Sequence, residues 1–229
     1  MSESCHYLSN RCPTALRVGV LLTLAAVATG CDGTEATSVR YEVTFVANWN
    51  DSTQPYDNFP SNPHFSPLVA AVHSSDVGFW KLGDTASHGI ESMAETGSTG
   101  LLAEEIRAHE PESVLQLTLR SIVQSPGSDE FEVEVDERFS LVTFVTMLGP
   151  SPDWFAGVTS RSLMDAGGAW VESLEIPLYP LDAGTDSGPS YNSRDEDTSP
   201  PEGISSIRNQ SPFSDNPVAF LSFDLVTDG

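Results

Sequence analysis

The sequence predicts an antiparallel β-sandwich carrying one or two short helices. Three observations lead there. Several segments alternate apolar and polar residues with the period of two that a half-buried strand requires. Gly, Pro, Asn and Asp turn signals separate these segments, with none of the strand–helix–strand rhythm of a parallel sheet. One segment, "FSLVTFVTML" at 139–148, is apolar on both faces, as a central strand between two packed layers must be.

The elements follow in chain order. "SVRYEVTFVANW" sets Val39, Tyr41, Val43 and Phe45 on one face and Arg40, Glu42 and Thr44 on the other. Residues 51–67 are a loop rich in Pro, Asn, Ser and Asp, and "PLVAAVHS" is a short apolar stretch. "GIESMAETGSTGLLAEEIRAH" reads as two short helices broken near Gly97 and Gly100, with Leu101, Leu102 and Ile106 on the apolar side of the second. "VLQLTLRSIV" (114–123) alternates through Leu115, Leu117 and Leu119, and "FEVEVDE" through Phe131, Val133 and Val135. After the doubly apolar segment, "AWVESLEIPLY" puts Trp170, Leu174, Ile176 and Leu178 on one side. Residues 183–217 are expected as a long loop, and "VAFLSFDLV" (218–226) as the closing strand. Six or more strands with intervening turns make one domain at 39–229, behind a polar tether at 31–38.

Residues 1–30 read as a secretory signal. Arg11 and Arg17 precede the apolar run Val18–Val27, which is shorter than the roughly 20 residues a bilayer span needs. Ala28-Thr29-Gly30-Cys31 then resembles a bacterial lipobox, which makes Cys31 the lipidated first residue of the mature chain; the other reading is an ordinary secretory signal with an incidental cysteine. Asp32 behind it retains lipoproteins in the inner membrane of enteric bacteria, so the choice between inner and outer membrane stays open. The other cysteines, Cys5 and Cys12, lie within the signal, so the domain has no internal disulfide and must be held by its core.

Charge narrows the partners. The chain has 10 Lys+Arg and 33 Asp+Glu, net −23. Removing Glu3, Arg11 and Arg17 with the signal leaves 8 basic and 32 acidic residues, net −24. Such a surface repels nucleic acid and anionic lipid and attracts cations. Lys81 is the only lysine.

"PSPDWFAGV" (150–158) and "PLDAGTDSG" (180–188) resemble the spondin domain of the F-spondin and mindin family. "YEVTFVANW", "FSPLVAAVHSSD", "SHGIESMAETG", "FSLVTFVTMLGPSPDWF" and Trp170 follow the family's order, so the likeness spans about 39–229. The resemblance implies a C2-like antiparallel sandwich; animal members sit in extracellular matrix and bind cell-surface partners such as integrins. It also implies a calcium site formed by Glu134, Asp153 and Asp182. Two departures stand out. Met164 occupies the place of a cysteine that bridges to an N-terminal cysteine in animal members, and no thrombospondin-type repeat is recognised.

Calcium is a hard cation that takes 6–8 oxygen ligands, often from loop carboxylates and carbonyls. Asp182 lies at a strand end among glycines that let the backbone turn, and Asp153 sits in a rigid frame of prolines and aromatics. Turn chemistry is the competing role for Asp182 and Asp186, because Asp before Gly commonly hydrogen-bonds its own backbone. The family match favours the metal for Asp182 and leaves Asp186 as a loop-holding residue. For Glu134 the competing role is a solvated strand residue, the role read for Glu132, Asp136 and Glu137.

Other chemistries find less support. No D-x-D-x-D-G run marks an EF-hand. His64, His73, His88 and His109 are scattered without a zinc spacing, and His73 reads as a hydrogen-bonded structural residue. No G-x-S-x-G elbow or Walker loop occurs. Trp49, Trp80, Trp154 and Trp170 read as packing residues. The expectation is therefore a non-enzymatic, extracytoplasmic, calcium-binding interaction or adhesion module on a lipid anchor. Its partner would be an unidentified protein or glycan at the cell surface, with no nucleic acid, and with membrane contact through the anchor only. The alternatives are a calcium-assisted hydrolase and a C2-like lipid-binding domain.

Overall fold

The computed structural model describes residues 38–56 and 58–227; the signal, Cys31 and most of the tether fall outside the described residues. Two antiparallel sheets face each other. In the first, β1 (Val39–Ala47) lies between β6 (Gly127–Val135) and β12 (Ala219–Leu225), with β9 (Ser173–Leu178) beyond β12. The period of two in β1 holds: Tyr41, Val43, Phe45 and Ala47 are buried.

The second sheet is built on β7 (Leu141–Gly149). β8 (Trp154–Ser162) pairs along one side of it; on the other, β3 (Val69–His73) pairs with its first half and the two-residue β2 (His64–Phe65) with its end. β4 (Val114–Leu119) extends beyond β3, and β5 (Val123–Gln124) beyond β2. On the far side β10 (Leu181–Asp182) pairs with β8, and β11 (Ser205–Ser206) with β10.

The double apolarity of β7 has a structural cause. Val142, Phe144 and Leu148 point into the core between the sheets, whereas Val145 and Met147 point into a second core beneath the helices. β3 divides the same way, Ala70 and Val72 to the first core and Val69 and Ala71 to the second. The sandwich thus carries a third, helical layer on one outer face.

That layer is α1 (His88–Thr96) and α2 (Gly100–Arg107). Ser87 caps α1, its Oγ accepting the Ile90 N–H at 3.2 Å and donating to Glu105 Oε2 at 2.6 Å. Glu105, from α2, also accepts the Gly89 N–H at 2.7 Å, so a carboxylate of one helix satisfies the open N-terminus of the other. Gly97 ends α1 at φ 71°, its N–H donating to the Met93 carbonyl.

One sequence expectation needs correction and one is refined. Leu115, Leu117 and Leu119 do not form a buried face: Leu117 is half-buried against the helical layer, while Leu115 and Leu119 are 40% and 41% exposed. β4 pairs only with β3, at the sheet margin, where the helical layer covers just part of it. The 183–217 segment is the long irregular stretch expected apart from β11, but it does not lie wholly at the surface. It contributes β11 and buries Tyr191 and Phe213 in an aromatic cluster with Trp49 and Trp154, at ring separations of 5.1–6.5 Å.

Candidate metal centre

β7 stops at Gly149, and residues 150–153 turn the chain into β8. There Trp154 lies opposite Asp182 in the β8–β10 pairing. That register brings the two long motifs together and sets Asp153 directly against the backbone of 183–186: Ala183 N–H donates to the Asp153 carbonyl at 3.2 Å.

Asp153 is fully buried. Its Oδ2 accepts the N–H groups of Thr185 (2.8 Å) and Asp186 (3.1 Å) and the Thr185 hydroxyl (3.4 Å). Its Oδ1 is buried and has no hydrogen-bond partner among the described residues. Leaving a buried acceptor unmade costs on the order of 1–3 kcal/mol, more for a charged group, so such an atom calls for an explanation. Burial, reinforced by the neighbouring charge of Asp182, pushes the Asp153 carboxyl up to about 6, against the opposing pull of the two N–H groups.

Asp182 is half-buried. Its Oδ1 accepts the Gly184 N–H at 2.8 Å, the Asx turn expected of Asp before Gly. Gly184 adopts φ 76°, and a Cβ there would stand 2.6 Å from the Glu202 carbonyl oxygen, so only glycine fits. Burial raises the Asp182 carboxyl. Hydrogen bonds from Gly184 and the Trp154 indole oppose this, and the charges of Glu202 and Asp186 add to it. Asp186 holds the loop, accepting from Gly188 N–H (2.7 Å) and Glu196 N–H (3.2 Å). A cleft of about 310 Å³ lined by Trp154, Asp182, Gly184, Asp186 and Glu202 opens beside the pair.

Glu134 is not part of this group. It is exposed on β6, opposite Arg40, with its N–H bonded to the Gln116 side chain at 2.9 Å. It lies one residue before the end of β6, just ahead of the turn into β7. Asp153 lies past the other end of β7, whose nine residues extend about 27 Å at ~3.4 Å per residue. The two carboxylates therefore sit at opposite ends of the sandwich. Among the described residues no group of three or more His, Cys, Asp or Glu side chains is arranged to hold a metal ion. Asp136 also differs from expectation: its Oδ1 accepts the N–H groups of Arg138 and Phe139, both at 2.8 Å, and so shapes the β6–β7 turn.

What assembles is a carboxylate pair, Asp153 and Asp182, with no cationic partner among the described residues. An all-oxygen donor set with one oxygen unpartnered fits a hard cation such as calcium and lacks the Cys and His ligands that zinc sites usually contain. Sequence reasoning missed the supporting groups: the Trp154 indole, the Thr185 N–H and hydroxyl, and Glu202. Trp154 and Thr185 lay inside the quoted motifs, but their direction depends on the β8–β10 register. Nothing local marked Glu202.

Known proteins resemble this chain over most of the domain. The family model Spondin_N matches residues 39–224. The chain belongs to the spondin domain family. This spondin domain is 36% identical to Spondin-2 of Homo sapiens over 210 residues, covering 86% of this chain and 62% of that protein. It is 38% identical to Spondin-2 of Rattus norvegicus over 178 residues, covering 76% and 54%. Against Spondin-1 of Gallus gallus it is 35% identical over 190 residues, covering 78% of this chain and 23% of the relative. The spondin domain thus spans under two thirds of Spondin-2 and about a quarter of Spondin-1.

Proposed function

We propose that this spondin domain is an extracytoplasmic interaction or adhesion module, anchored through a lipid on Cys31, whose Asp153–Asp182 pair takes a structural calcium ion. The observation that carries the metal reading is Asp153 Oδ1, buried without a partner beside a second carboxylate. Asp153 and Asp182 would supply carboxylate oxygens, and the bound ion would supply the positive charge that both lack. The ion's place in the fold suits a structural role. Asp153 closes the β7–β8 turn, Asp182 ends β10, and fixing one against the other fixes the 183–217 segment that the aromatic cluster pins from below. That segment and the adjoining turn would form the pre-shaped binding surface. Membership of a family whose curated relatives are Spondin-1 and Spondin-2 supports the adhesion reading.

The test is thermal melting in EDTA and in millimolar calcium. A ligand that binds only the folded state stabilises it by about 2.7 kcal/mol at a hundredfold excess over its dissociation constant. For a domain of this size that is roughly 5–10 °C. Asp153→Asn and Asp182→Asn should each lose most of the shift. Identical wild-type melting in the two buffers would remove the metal from the reading. Anchoring is tested separately: wild-type chain should take up labelled palmitate and Cys31→Ser should not, and equal labelling would overturn it.

A further inference from the structure

A second cleft lies away from the carboxylate pair. It has a volume of about 420 Å³, enough for a small ligand, and runs between the 78–87 segment and the end of β8. Three unrelated features converge on it. First, Trp80 lines it, and the buried Trp80 Nε1 has no acceptor among the described residues. Second, Lys81 lines it; the only lysine of the chain forms no ion pair among the described residues, in a protein with a threefold excess of acids. Third, Ser160 lines it at φ 47°, a left-handed conformation that disfavours a non-glycine residue.

The strain at Ser160 is held in place from inside the core. The Ser74 carbonyl lies 2.8 Å from His73 Nδ1, so that nitrogen carries the proton and Nε2 accepts from the Thr143 hydroxyl at 2.8 Å. Thr143 Oγ1 in turn accepts the Ser160 N–H at 2.9 Å. His73 and Thr143 are both buried, and the β7–β8 register shifts between Val142 and Phe144 to allow the bond. A buried relay that fixes one strained serine on the wall of a cleft is the arrangement expected where backbone strain serves a site rather than the fold.

We propose that this cleft binds a carboxylate carried on a small apolar body. The Lys81 ammonium at the cleft can only donate, so a ligand bound beside it must bring acceptors. A single cation matches a single negative charge, and Asp84 on the same cleft disfavours a dianion such as phosphate. The Phe79 ring supplies apolar contact for the body of the ligand. The carboxylate could belong to a free acid or to a peptide, and both present the same two oxygens.

The probes are 3-phenylpropionate, its neutral amide, and the capped dipeptide acetyl-Phe-Glu-amide, each titrated into the full chain in calcium-containing buffer. The readout is the Trp80 indole N–H resonance, assigned with Trp80→Phe. The acid should shift that resonance saturably and bind about tenfold or more tightly than the amide, as expected for a charge-assisted hydrogen bond. Lys81→Met, at an exposed position that cannot compromise the core, should weaken the acid by a similar factor and leave the amide unchanged. Tighter binding of the dipeptide assigns the carboxylate to a partner chain, and tighter binding of phenylpropionate assigns it to a free acid. Equal binding of acid and amide, an unmoved Trp80 resonance at millimolar probe, or a Lys81→Met variant that binds the acid as wild type does would each overturn the proposal.

Discussion

The two ends of β7 hold carboxylates of the same chemistry in opposite circumstances. At the Gly149 end Asp153 is fully buried, tied by one oxygen to a crossing loop and unpartnered at the other. At the Leu141 end Glu134 stands in solvent on an outer strand, across from Arg40. Both were drawn into one ligand set by resemblance, yet the strand between them keeps them apart. The difference teaches that in a chain with 33 acidic residues acidity marks nothing. A carboxylate acquires a task where the fold withdraws it from water and leaves its charge unanswered.

The largest expected effect comes from breaking the strand that separates the ends. Phe144 is fully buried in the middle of β7 and stacks on Phe45 at 5.5 Å. Phe144→Ala should cost about 3–5 kcal/mol in urea unfolding, as a buried aromatic truncation. Both ends should loosen together, with amides around Asp153 and around Asp136 gaining hydrogen exchange in parallel. A loss below about 1 kcal/mol would mean that the ends are not joined through this core.

The fold was legible in the sequence because its signals are local. Alternation in β1 and β6, double apolarity in β7 and the glycine break between the helices each follow from the few residues concerned. Leu115 and Leu119 misled because alternation shows that a strand has two faces, not that either is covered. The candidate site was half legible. Asp153 and Asp182 lie in motifs whose composition already suggested tight oxygen-rich turns, and the resemblance joined them. Their actual proximity comes from the Trp154–Asp182 register across 28 residues, which no local pattern encodes. Glu134 failed for the same reason in reverse: a matching position says nothing about which end of a strand it occupies. Tyr191 and Phe213 were lost in a polar segment because two aromatics among Ser, Asn and Asp have no periodicity to announce burial.

The next effect concerns pH. The Asp153 carboxyl rises from 3.8 to about 6 on folding, chiefly through burial. Between those values the folded protein holds a proton that the unfolded chain has released. Without divalent cation, the Asp153 contribution to stability should therefore fall as pH rises from about 4 to about 6 and stay flat above that. The shift of about two units corresponds to about 3 kcal/mol. Asp182, also raised, adds a trend of the same sign. Asp129, held down by Arg120, acts below its ordinary value and in the opposite direction. Subtracting the Asp153→Asn profile isolates the Asp153 contribution. His73, whose imidazole burial lowers, adds a rise of stability with pH in the same window, so the test is a difference: in EDTA the melting temperature of wild type minus that of Asp153→Asn should be larger at pH 5 than at pH 7. A wild type that instead gains stability from pH 5 to 7 relative to the variant would mean that Asp153 is already answered by a group of the protein, and that it and Glu134 differ less than their burial implies.

The smallest expected effect is at the other end. Glu134 is exposed, its side chain makes none of the turn or loop bonds that Asp136 and Asp186 make, and only its N–H is engaged, by Gln116. Removing one exposed charge usually changes stability by less than about 0.5 kcal/mol. Glu134→Gln keeps the shape and the backbone bond, so urea unfolding should stay within that range at every pH from 4 to 7. Any calcium-dependent rise in melting temperature should survive in full, because a side chain about 27 Å of strand away cannot ligate an ion at Asp153. This is the sharpest separation of the two ends, since the resemblance and the geometry disagree on it alone. If Glu134→Gln abolishes the calcium shift as Asp153→Asn is expected to, the ion sits where the family pattern implies. The strand path from Glu134 to Asp153 would then have to be shorter than nine residues of β7 allow.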